Sequence, residues 1–308
     1  MNARRLSLIV VKVLLLTVVL MVVNGLGSQF LPRTQAAPAA SGAATTSPAP
    51  PPASFLGLLI GILLLQTIAL AYPVVRSRWS GWRLVATVAL LYFGTVTFMS
   101  QIESLIYLGR KMPGGMLSGL FAMGLFNAVV FAPILVLVLG AWRGERPDAD
   151  RLAAPWGPLG PWLTRALIGG GVFLVLYYLF GYIVAWQNPL VREYYGGTDP
   201  GSFFAQMLSI AKGTPWMIPF QFARGLLWVG LGLLVVRMMR GGWWEAGLAT
   251  ALLFAVPCLY LLIPNPLMPE PVRMAHLVET APYQFAFGWF VAWLFRPRAP
   301  GVERQAEP

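Results

Sequence analysis

Apolar stretches about as long as a bilayer is thick recur along almost the whole chain, and no other feature limits its fold so strongly. A helix needs roughly 20 predominantly apolar residues to cross about 30 Å of hydrocarbon. Runs of that kind occupy residues 6–26, 55–75, 84–105, 116–142, 164–186, 216–236, 243–264 and 275–295. Within lipid each backbone N–H and C=O must find a partner inside the protein, which makes the helix the structure for a continuous run of this length. The expectation is an all-α protein, a polytopic transmembrane helix bundle of about eight spans with no soluble domain. Composition agrees, since 57% of the 308 residues are hydrophobic and only 11% are charged, against roughly 25% charged in soluble domains.

The runs divide the chain into four parts. Residues 1–29 read as an N-terminal transmembrane helix or signal anchor, because the run is longer than the roughly 7 to 15 residues of a cleavable h-region. Ala37, Pro38 and Ala39 would nevertheless serve as a cleavage pattern, so removal of residues 1–37 is the competing reading. Residues 30–54 form an Ala/Pro/Ser-rich tract too poor in large apolar groups to fold alone, which reads as an extracytoplasmic linker. Residues 55–295 form a seven-helix bundle and 296–308 a cytoplasmic tail.

The formal charge of +11 would point to nucleic acid in a soluble domain, but here the basic residues stand singly or in small groups between apolar runs, so no nucleic-acid partner is expected. Their distribution sets topology instead. One face carries fourteen, Arg4, Arg5, Arg76, Arg78, Arg83, Arg143, Arg146, Arg151, Arg165, Arg237, Arg240, Arg296, Arg298 and Arg304. The other carries six, Arg33, Arg110, Lys111, Arg192, Lys212 and Arg273, and Lys12 and Arg224 fall inside spans. The positive-inside rule then places both termini in the cytoplasm, in a protein integral to the cytoplasmic membrane. Tryptophans at span ends, among them Trp79, Trp142, Trp186, Trp216 and Trp243, suit the bilayer interface.

An ionisable side chain within a span costs on the order of 3 kcal/mol on insertion scales, so each one marks a candidate site. Glu103, with Gln101 beside it, lies in the last turns of the third span. Arg224 lies about 12 Å inside the sixth, with Gln221 three residues earlier on the same face. Glu103 and Arg224 lie at similar depth and can pair. His276, Glu279 and Tyr283 form one stripe on the last span, just after Arg273, and the proline-rich segment 264–271 before it is expected to be non-helical. The thirty-residue connection between spans five and six adds Gln187, Asn188, Arg192, Glu193, Tyr194, Tyr195 and Asp199, and connections of that length are often functional or re-entrant.

Motifs with established chemistry are absent. There is no P-loop, no G-x-G-x-x-G after a strand and no H-E-x-x-H. Cys258 is the only cysteine and His276 the only histidine, so neither an intramolecular disulfide nor a thiolate-rich metal site is available, and no metal or cofactor is expected. Three classes of function fit these residues. A non-catalytic membrane component, such as a subunit, assembly factor or sensor, comes first, with the polar groups holding the bundle together. The second is a transporter or permease for a small polar or anionic solute. The third is an intramembrane enzyme acting at the outer leaflet on a lipid-linked substrate. The partners to expect are the lipid bilayer and a small solute or lipid headgroup.

Overall fold

The computed structural model describes residues 3–32, 53–109, 111–143, 159–265 and 267–296. The cleavage pattern at residues 37–39, most of the linker and the tail after Arg296 lie outside the described residues. Among those described there is no strand, only two isolated bridges between single residues. Seven helical stretches, Ser7–Phe30, Ser54–Val75, Gly81–Leu108, Met116–Val138, Gly160–Ala185, Met217–Met238 and Trp243–Leu262, are long and apolar enough to cross a membrane. An eighth helix matches them in length at 25 residues, Glu270–Leu294, but its first half carries Glu270, Arg273, His276 and Glu279.

The helices are α1 (Ala3–Gly27), α2 (Ala53–Val75), α3 (Gly81–Tyr92), α4 (Met99–Leu108), α5 (Met116–Val138) and α6 (Leu159–Phe180). They continue with α7 (Pro189–Tyr195), α8 (Phe203–Gly213), α9 (Met217–Met238), α10 (Trp243–Ala255) and α11 (Glu270–Leu294). Helices α3 and α4 are one span, joined through a wider π-helical turn at Phe93–Phe98. A second π-helical turn, Gly181–Ala185, ends α6.

Several boundaries differ from the hydrophobic pattern, each for a local reason. Helix α5 stops four residues short of the apolar run because Gly140 takes a left-handed φ of 74°. The N–H of Gly140 then donates to Leu137 and that of Ala141 to Val136, which satisfies carbonyls left open at the helix end. Helix α11 begins at Glu270, inside the segment expected to be non-helical. Pro271 stands in its first turn, where a missing N–H breaks no helical bond. The long connection between spans five and six is not irregular, since it folds into α7 and α8. Asn188 caps α7 by accepting from the Leu190 N–H, and Ser202 caps α8 by accepting from Ala205.

Helix association in lipid cannot rely on the hydrophobic effect, so close packing of small residues carries much of it. A Cβ placed on Gly288 of α11 would lie 2.7 Å from the Ala251 Cα of α10, and one on Gly225 of α9 would lie 3.0 Å from the Gly170 Cα of α6. Apolar side chains face outward on the periphery, as with Leu14, Leu15 and Val18 of α1, each about half exposed, while Leu16 and Leu20 of the same helix are fully buried. The Arg-rich end is tied together by polar contacts. Arg76 Nε donates to Glu245 at 2.8 Å, Arg78 Nη2 to the Met239 carbonyl at 2.6 Å, and the Arg240 N–H to the Arg76 carbonyl at 2.8 Å. These clip the α2–α3 turn to the α9–α10 turn. The opposite end, called distal here, carries α7, α8 and the start of α11.

Gly288→Val should lower the thermal midpoint in detergent, since overpacking of this kind costs about 1–3 kcal/mol. Gly171→Ala should leave the midpoint unchanged or raise it, because nothing lies within 4 Å of a Cβ there. A thermal melt of the two purified variants beside wild type measures both.

Candidate functional site

A cavity of about 690 Å³ opens in the distal half of the bundle. Its walls come from α3, both π-helical turns, α4, α5, α6, α8, α9, α11 and the 3-10 turn Val256–Leu262 that follows α10, with Asn24 of α1 and Val191 and Tyr195 of α7. The two π-helical turns border it through Thr95, Val96 and Thr97 on one side and Gly181 and Ala185 on the other. Single π-turns of this kind recur at functional sites because they move one side chain out of the regular helical row. The deepest lining residues include Tyr92 and Asn127, near the middle of their spans, so the cavity runs from the distal end to about mid-bundle.

Four charged residues line it, Glu103, Arg224, His276 and Glu279. Arg224 is seven residues into α9, about 10 Å along the helix axis, and only 2% of its side chain is exposed. A guanidinium at that depth requires neutralisation and hydrogen-bond acceptors. Nη2 donates to Glu103 Oε2 at 2.7 Å and to the Met99 carbonyl at 3.2 Å, and Nη1 donates to Gln221 Oε1 at 2.7 Å. Glu103 keeps 30% of its side chain exposed, so one face of the carboxylate meets Arg224 and the rest meets the cavity.

A second polar row stands across the cavity. Glu279 Oε2 lies 2.8 Å from His276 Nδ1, and His276 Nε2 lies 3.0 Å from the Tyr195 hydroxyl. Burial and the nearby Tyr194, Glu103, Glu279 and Tyr107 push the Tyr195 hydroxyl well above its ordinary pKa, so it stays protonated. With Glu279 as a carboxylate, Nδ1–H donates to it, and the Tyr195 hydroxyl, able to donate or accept, meets Nε2 in either protonation state of the ring. Helix α7 holds Tyr195 in place through a small apolar cluster of its own, in which Val191 packs with Ala185, Val272 and Ala275. Tyr194 extends the anchor by donating to the Leu267 carbonyl at 2.5 Å.

Compared with known protein families, curated proteins and solved structures, the chain matches none. The site therefore rests on its own geometry.

The sequence candidates fall into two groups. Gln101, Glu103, Arg224, His276, Glu279 and Tyr283 line the cavity, and Gln221 supports it through Arg224. Arg273 is buried but turns away, donating to the Leu261 carbonyl at 2.8 Å. The loop candidates build the rim instead. Gln187 donates to the Tyr182 carbonyl, Asn188 caps α7, and Arg192 donates to the Trp186 carbonyl and lies 4.0 Å from Asp199. Glu193 is exposed. Sequence reasoning missed Asn24 and Asn127, whose amides meet at 3.0 Å between α1 and α5, and the Tyr107–Tyr177 hydroxyl pair at 2.8 Å. A polar amide inside an apolar run was the available signal for the two asparagines. Among the described residues no group of three or more His, Cys, Asp or Glu side chains could hold a metal ion.

Glu103→Gln should destabilise the protein by about 2 kcal/mol, between the limits for exposed and buried pairs. Arg224→Leu removes the other charge. The double variant should lose less than the sum of the two single variants, because neither charge is then left alone. Additive losses in a denaturation cycle would show that the pair contributes nothing through its contact.

Proposed function

We propose that this integral membrane protein takes a small polar solute into the distal cavity, as a transporter or permease does, with Glu103, Arg224, His276 and Glu279 at the binding site. The observation that carries this reading is that ionisable side chains in the cavity wall keep exposed surface, 30% for Glu103 and 21% for His276. A bundle whose charged groups served only to hold helices together would bury and pair them fully, because a charge left open to a recess in lipid needs solvation. Water or a polar solute in the cavity solvates them.

Two further features support transport over the purely structural reading that the sequence put first. The cavity falls within the roughly 300–1,000 Å³ range of small-molecule sites, and it reaches mid-span, where transporter sites lie. The basic-residue bias places its mouth on the non-cytoplasmic side of the cytoplasmic membrane. A second reading, an enzyme acting on a lipid-linked substrate, draws on the Tyr195–His276–Glu279 row, which would hold a general base against the cavity.

Ser104 lines the cavity, whereas Leu135 lies in the core with no exposure. With Cys258→Ser as background, Ser104→Cys should react with a small uncharged thiosulfonate in the folded protein and Leu135→Cys should not. Equal inertness of the two thiols would overturn the reading.

A further inference from the structure

The most exposed ionisable side chain on the cavity wall is a carboxylate. Of the four ionisable lining residues, two are carboxylates, one is a guanidinium and one is an imidazole, so with both carboxylates ionised the wall carries zero net charge, and minus one with a neutral imidazole. Accessibility sharpens the balance. Arg224 is 2% exposed, and three of its N–H groups are occupied by Glu103, Met99 and Gln221. Glu279 is 7% exposed and bound to His276, whose other nitrogen is engaged by Tyr195. Glu103 presents the most exposed of these side chains, 30% against 21% for His276.

Around that carboxylate the wall is aromatic. Tyr107, Tyr177, Tyr178, Trp186, Tyr195 and Tyr283 all line the cavity. Aromatic faces attract cations through the ring quadrupole, by about 2 kcal/mol or more when the site is desolvated. The rim already holds one such contact, since the Lys111 ammonium lies 3.5 Å from the Tyr194 ring centroid. Two other cations stand near but are spent elsewhere. Lys111 donates to the Tyr194 carbonyl at 3.0 Å, and Arg273, not a lining residue, donates to the Leu261 carbonyl.

We propose that the cavity selects a small organic cation, an amine or quaternary ammonium ion, with Glu103 as counter-ion and the surrounding tyrosines as its aromatic enclosure. This rests on the cavity being open to solute and departs from the small polar or anionic solute expected from sequence. Arg224 then acts as a positioning residue that holds the Glu103 carboxylate at the wall.

The experiment compares thiosulfonates of opposite charge on Ser104→Cys in the Cys258→Ser background, each rate normalised to a free thiol in solution. Focused charge in a low-dielectric cleft raises local counter-ion concentration by about tenfold or more. The cationic reagent should therefore react at least about tenfold faster than the anionic one, and benzyltrimethylammonium should slow it. Glu103→Asp should keep the preference and Glu103→Gln should abolish it. Equal rates, or a faster anionic reagent, in the Ser104→Cys protein would overturn the cation proposal while leaving an open cavity intact. Inertness toward the uncharged reagent as well would remove the cavity reading itself, so the two failures are distinguishable.

Discussion

A guanidinium held about 10 Å inside a membrane-length helix is the constraint from which the distal half of this protein is built. Arg224 cannot stand alone in hydrocarbon, and its neighbours are arranged around that requirement. Glu103 supplies the charge, the Met99 carbonyl and Gln221 supply acceptors, and the contact fixes the register of the α3–α4 span against α9. Because Glu103 is shared between Arg224 and the cavity, the same pair that locks two helices also sets the electrostatic character of the space beside them.

The cavity follows from where close packing is interrupted. At the Arg-rich end, turns are clipped by Arg76–Glu245 and Arg78–Met239, and small residues bring α10 and α11 into backbone contact. In the distal half, two π-helical turns displace the regular side-chain rows of two spans, and tyrosines in edge-to-face contact with one another line the space beside them. Helix α7, pinned by Val191 and Tyr194, brings Tyr195 back to His276 and forms part of the wall from outside the spans. A stable scaffold on one side and a polar, aromatic recess on the other is the arrangement expected of a site set on a rigid base.

Much of the fold was legible because lipid leaves few options. Hydrophobic length located the spans, and the cost of buried charge singled out Glu103, Arg224, His276 and Glu279 before any geometry was known. The boundaries were less legible, since Gly140 and Pro271 act through backbone conformation that hydropathy does not report. The loop residues around Arg192 drew notice for their polarity, yet their side chains serve local backbone carbonyls, a role that depends on α7 forming. Asn24 and Asn127 went unremarked because an uncharged amide hardly alters the mean of an apolar run.

By itself the sequence determined that the chain is a helical membrane bundle and which ionisable groups lie within its spans. Both follow from local quantities, hydrophobic length and the desolvation cost of a charge. The tertiary structure alone decided which of those charges neutralise each other, which one still faces open space, and that the space is lined by aromatic rings from six or more helices. Those are properties of how distant segments meet, and in lipid that meeting is set by packing and hydrogen bonding between helices, for which no single segment carries the information.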